Sequence, residues 1–184
     1  NNQIYQWHKV MRSKNPNPTY RCIALDKFIG PSTKKKSVQR ELAELMTKRK
    51  KCQSTTSLQV GTRVVSLTQI NRHVGISTFG TVTQITPATG IFNRFPKVRV
   101  LFDGVETDSE VRPQVFMVDT EHDASILERT QLPIVPAHAM TVHSSQGMQV
   151  KKHTKTAVNI QGAWESGQEY VALTRNEDPM NDLI

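Results

Sequence analysis

The side chains best suited to chemistry lie in the last third of the chain. Thr141, His143, Ser144 and Ser145 crowd the end of an apolar run, Leu132-Pro133-Ile134-Val135-Pro136-Ala137-His138-Ala139-Met140, and Gln146-Gly147 then turns the chain. The run reads as a strand buried on both faces of a parallel sheet. Ligands of such sheets gather at the carboxyl ends of the strands. Hydroxyls and an imidazole at that point suit phosphate and sugar contacts, and a glycine lets the backbone approach closely. The same pattern also fits a strand end whose histidine is hydrogen-bonded for structural reasons alone. Farther on, Gly167 to Arg175 reads as a helix ending in an arginine, which by itself fits a surface ion pair equally well.

Two other stretches imitate phosphate sites. Gly30-Pro31-Ser32-Thr33-Lys34-Lys35-Lys36-Ser37 nearly fits G-x-x-x-x-G-K-[ST], but Lys35 stands where the second glycine belongs. That glycine lets the loop curl so that its N–H groups face phosphate, and a lysine Cβ obstructs the curl. The stretch is therefore expected to be an ordinary loop. Lys97 to Asp103 is a strand pattern ending in an acid that could hold Mg²⁺ beside a P-loop. Gly104 follows at once, so a turn at Asp103-Gly104 is the better expectation.

The elements that must carry these residues fall into three textures. Residues 1–60 are polar and lean towards helix, broken by Asn15-Pro16-Asn17-Pro18 and Gly30-Pro31, with Val38, Leu42, Leu45 and Met46 on one face of a short amphipathic helix. Residues 61–119 are rich in β-branched residues. GTRVVSL, GTVTQI, KVRVLF and QVFMV read as strands separated by turn clusters, the pattern of a small antiparallel barrel or hairpin stack. From Leu132 the texture is α/β again, with KTAVNI as a second strand.

Composition sets bounds on partners. The chain has 184 residues, 36% apolar and 22% charged, enough for one domain with a small insert. No apolar stretch is long enough to span a membrane, and the N-terminus has no secretory pattern. Without a starting Met, the chain is expected to be a piece of a longer protein. Cys22 and Cys52 have neither zinc spacing nor a disulfide framework and read as free thiols of a reducing, intracellular compartment. Of the net charge of +8, residues 34–51 supply +6, through eight basic residues against Glu41 and Glu44. Such a run suits either phosphate contact or a solvated, mobile loop.

Gln131 to Met148 resembles the fifth conserved motif of superfamily 1 helicases of the RecD and Pif type, and Gln168 to Arg175 resembles the sixth. Gly61 to Val65 is similar to the strand before the family's β-rich insert. Phe79 to Val82 and Pro96 to Phe102 resemble pieces of that insert, and Asn1 to Gln3 the tail of the fourth motif. The resemblance implies a second RecA-like lobe at 1–72 and 130–184, with an SH3-like β-barrel inserted at 73–129. It implies an ATP-dependent DNA helicase moving 5′ to 3′ on single-stranded DNA and acting at forks. ATP and Mg²⁺ would be held mainly by an N-terminal lobe that this chain lacks, leaving the chain inactive alone. Arg175 would be the arginine finger, a device that accelerates phosphoryl transfer by roughly 10³–10⁵. Gln168 would sense the nucleotide, and Gln146, Gly147 and Gly167 would approach it. Thr141, His143, Ser144 and Ser145 would contact the DNA strand, although the family usually has lysine where this chain has Ser144. Phe79, Phe92 and Phe95 would pack the insert or stack bases from its loops. A nucleic-acid-binding module or helicase relic without motor activity is the alternative reading.

Overall fold

The computed structural model describes residues 2–88, 94–120, 124–141, 156–157, 170, 174 and 182–183. Helix α1 (Asn2–Lys14) turns Ile4, His8 and Arg12, one helical turn apart, towards the rest of the chain. Its exit is stapled. The side-chain amides of Asn15 and Asn17 donate to the Val60 carbonyl at 2.9 and 3.0 Å, and Gln59 donates to the Asn17 carbonyl at 2.6 Å. Two prolines in this segment cannot continue a helix, so side-chain amides take over the hydrogen bonding.

Three strands run through the stretch expected to lean towards helix: β1 (Tyr20–Ile23), β2 (Leu25–Ile29) and β3 (Thr55–Leu58). Short strands with Lys, Asp and Arg at exposed positions lack clear alternation, and their pairing is long-range. β1 pairs with β3, and β2 with β9 (Ile126–Gln131), both antiparallel. Helix α2 (Lys36–Lys50) contains the expected amphipathic segment, starting before Val38 and running about a turn past Met46. Leu42 and Met46 on the expected face are fully buried, with Val38 and Leu45 packed beside them. They meet Phe116, Val118 and Leu127 of the sheet β2-β9-β8, where β8 is Gln114–Asp119.

The four strands expected between 61 and 119 all form. They are β4 (Arg63–Ser66), β5 (Phe79–Thr86), β6 (Lys97–Phe102) and β8, joined by a short β7 (Ser109–Val111). Four of these five pair antiparallel with β10 (Ile134–Pro136) in the order β10-β4-β5-β6-β7. β5 bulges at Thr83, whose hydroxyl donates to Asp108 at 2.9 Å; Arg99 holds the same carboxylate at 2.8 Å. Gly80 has no room for a side chain, since a Cβ there would lie 2.6 Å from Val100 and 2.9 Å from the Leu101 carbonyl. The turn at Asp103-Gly104 forms, with the Val105 N–H donating to Phe102 at 3.1 Å. Phe79 is buried beneath the Arg63 guanidinium, 5.4 Å from its ring centre, and Phe95 packs against the core around Val98, Val100 and Phe102, so both rings take the packing role. Phe92 lies outside the described residues.

Two expectations are corrected. Among the described residues the five-stranded sheet is open: β10 and β7 are its edges, and no pairing closes it into a barrel. The run from Leu132 is not a long strand of a parallel sheet. Leu132 and Ile134 are fully buried, but β10 has three residues and pairs antiparallel with β4. Pro133 and Pro136 explain this, since each lacks the N–H that a central strand must donate, and proline is confined to edges and strand ends. Parallel pairing does occur between Thr156–Ala157, inside KTAVNI, and Asp182–Leu183.

Candidate nucleic-acid and nucleotide site

The chain leaves β10 still bonded to β4, with the Ala137 N–H donating to the Arg63 carbonyl at 2.8 Å. His138 follows and is half-buried. Its ring centre lies 6.2 Å from that of His8, tilted by 59°. Thr141, the first expected strand contact, is half-buried and engaged in an interaction of its own. So α1 and the end of β10 meet at the start of the expected contact loop.

The junction is polar and poor in acid. His8, Arg12, Ser57, Gln59, Thr62, Pro136 and His138 line a cavity of about 30 Å³, the size for a water molecule. Burial lowers the pKa of His8 from its ordinary 6.5, and the neighbouring His138 and Arg12 add to the shift against a hydrogen bond to the Ala139 backbone. His138 is lowered too, first by burial and then by Arg63. Both rings are therefore neutral at pH 7. Among the described residues His8 Nδ1 is buried without a hydrogen-bond partner, an acceptor suited to a bridging water. The Arg63 charge is met by Asp103, with the guanidinium forked onto both carboxylate oxygens.

The sequence pattern places His138 inside the motif without a role and leaves His8 and Arg12 unmarked. His8 and His138 are 130 residues apart in the chain, and no spacing rule reaches across that distance. Of the expected site residues, the described part of the chain contains Thr141 alone. His143, Ser144, Ser145, Gln146, Gly147, Gly167, Gln168 and Arg175 lie outside it. Tyr170 is exposed, and its carbonyl accepts from the Thr174 N–H at 3.0 Å.

The near-P-loop at 30–37 does not fit a nucleotide phosphate. The N–H groups of Thr33 and Lys35 are used within the turn, on the Gly30 and Ser32 carbonyls, and Lys35 is extended at φ −78° and ψ 123°. Backbone donors committed to carbonyls cannot also cradle phosphate. Among the described residues, no three His, Cys, Asp or Glu side chains are grouped to hold a metal ion.

No protein-family model matches the chain. Among curated proteins, it is similar to the ATP-dependent DNA helicase PIF1 of Saccharomyces cerevisiae (strain YJM789), with 32% identity over 83 residues, 45% of this chain and 9% of the relative. The ATP-dependent DNA helicase Pif1 of Campylobacter jejuni is 46% identical over 50 residues, 27% of this chain and 10% of the relative. The alignments thus span about a tenth of these relatives' length. In three dimensions the fold is similar to that of the Pif1 helicase from Candida albicans. The TM-score is 0.73 at 19% identity, over 98% of this chain and 42% of that one. It is also similar to Bacteroides Pif1 bound to single-stranded DNA, with a TM-score of 0.59 at 19% identity, over 97% of this chain and 38% of that one. Over part of its sequence, and in fold across nearly all of it, the chain is similar to these Pif1 helicases.

Proposed function

We propose, from this kinship, that the chain is the C-terminal portion of an ATP-dependent DNA helicase that moves 5′ to 3′ on single-stranded DNA. The observation that carries the reading is likeness of fold across 98% of the chain, together with sequence kinship to helicases. Residues 1–72 and 130–184 form the second RecA-like lobe, and 73–129 a β-rich insert. Strand pairing ties the two closely: β4 is bonded to β5 across the first boundary, and β9 runs through the second.

In this reading Thr141, His143, Ser144 and Ser145 meet the DNA backbone where the chain leaves β10. α1 braces that loop from behind through His8 and His138. ATP, held with Mg²⁺ mainly by an N-terminal lobe, would be the substrate hydrolysed, with the ion offsetting the charge on its phosphates. This chain contributes Arg175 as a permanently charged guanidinium for the transferred phosphoryl group, Gln168 as a sensor, and Gln146, Gly147 and Gly167 as backbone close to the nucleotide. Ser144 gives a hydroxyl in place of the family's lysine, so one phosphate contact is weaker. Forks and single strands are the partners, and a reducing compartment suits two buried free thiols.

The test is binding of labelled single-stranded DNA to the chain across a salt series. Combined Thr141→Ala and His143→Ala should weaken binding by about tenfold, of the order of two backbone hydrogen bonds removed. Arg175→Ala should leave it unchanged, because that arginine serves the nucleotide. A large loss from Arg175→Ala, with no loss from the pair, would favour a nucleic-acid-binding module without motor activity.

A further inference from the structure

Most of the chain's positive charge sits on one element. Residues 34–51 hold eight Lys and Arg against Glu41 and Glu44, leaving a net of only +2 for the rest of the chain. In the structure this run is ordered, being α2 and the residues flanking it. One side of α2 is closed, with Leu42 and Met46 fully buried against β8 and β9. All eight cations are exposed. Lys36, Arg40, Glu44, Thr47 and Lys48 project away from Leu42 and Met46, at the helical angles expected of an outward face.

Glu44 engages Arg40 at 3.2 Å, which leaves two poles of charge, Lys34 to Lys36 at one end and Lys48 to Lys51 at the other. The helical rise sets Lys36 and Lys48 about 18 Å apart along the axis. Between them Arg40, Ala43, Glu44, Thr47 and Lys48 line an open groove of about 390 Å³. The second pole is favoured by the helix dipole, but the first is opposed by it. α2 has no acidic residue in its first turn and no side-chain cap, so nothing on the helix itself offsets the three lysines there.

We propose that the outward face of α2 docks a nucleic-acid duplex through its phosphates. B-form DNA presents a charge about every 1.7 Å of axis and a major groove about 12 Å wide. Poles about 18 Å apart, on flexible lysine stems, reach phosphates on both sides of such a groove. A single strand is a poorer fit, because its binding draws on aromatic stacking and α2 has no aromatic residue. An anionic membrane is poorer too, because a membrane-lying helix needs an exposed apolar face and that of α2 is already buried. The inference does not rest on the helicase reading, since a binding module could use the same face.

The test compares the 184-residue chain with a variant carrying Lys36→Gln, Lys48→Gln, Lys50→Gln and Lys51→Gln. Arg49 stays because it is already engaged. The four side chains are exposed, and circular dichroism checks that the fold is kept. Each chain is titrated with a labelled DNA duplex, with a single strand of equal length and with phosphatidylserine vesicles across a salt series. For the duplex, the slope of log affinity against log salt should fall by roughly 3 to 4, about one for each phosphate no longer neutralised by a lysine. Single-strand affinity should change by less than about threefold and remain sensitive to Thr141→Ala with His143→Ala. An unchanged duplex slope would overturn the proposal. So would equal losses for duplex and single strand, or loss of binding confined to phosphatidylserine vesicles. Failure of the Thr141 and His143 pair alone would count against the strand-contact reading and leave this one intact.

Discussion

At the scale of single residues, the largest energetic commitment is Arg129. It is 1% exposed, and each of its three guanidinium nitrogens donates, two to Asp26 at 2.7 and 2.6 Å and one to the Cys52 carbonyl at 3.0 Å. The arrangement ties β9 to β2 and to the residue just past α2. A buried cation is tolerable only while its partners stay in place, so Asp26→Ala should destabilise the chain by about 3–5 kcal/mol. Urea unfolding would measure this, and a loss below about 1 kcal/mol would mean that water replaces the carboxylate. The sequence shows Asp26 and Arg129 as two charges among forty, with nothing to pair them.

At the scale of elements, α1 is held to the end of β10 by a contact that depends on protonation. Burial first, then His138 and Arg12, hold His8 below its ordinary 6.5, and burial first, then Arg63, holds His138 below it. An unfolded chain takes up those protons near pH 6.5, while the folded chain resists. Stability from the neutral pair is therefore complete above about pH 6.5 and drains away as pH falls below it. His8→Phe with His138→Phe should flatten that dependence, so the difference in Tm between pH 7.5 and 5.5 should shrink in the variant. An unchanged difference would show that the pair stays neutral in both states or is open to water. The helix α2 was legible from Val38, Leu42, Leu45 and Met46, because helical periodicity is local. β1, β2 and β3 were not, because their hydrogen bonds are set by partners 30 to more than 100 residues away.

At the scale of the whole molecule, the proposed reading divides labour between this chain and a lobe that holds the nucleotide. The chain alone should therefore turn over no ATP above background, with or without single-stranded DNA. A steady-state phosphate-release assay checks this. Turnover lost on Lys36→Ala would instead make 30–37 a working phosphate loop, despite its N–H groups being spent on Gly30 and Ser32.

What depends on local order could be read from the chain directly: the strands at 63–66, 79–86, 97–102 and 114–119, the face of α2, the turn at Asp103-Gly104, and a likeness to helicase motifs in runs of adjacent residues. Short-range patterns survive in the chain because neighbours in sequence are neighbours in an element. Only the tertiary structure decided what depends on distant residues meeting. It made the sheet around β4 to β6 open, set β10 antiparallel at an edge, brought His8 against His138, and set Lys36, Arg40 and Lys48 on the face of α2 turned away from Leu42 and Met46. Each of these is a choice of partner, and long-range partners are selected by burial and hydrogen-bond satisfaction over the whole fold, which no window of sequence contains.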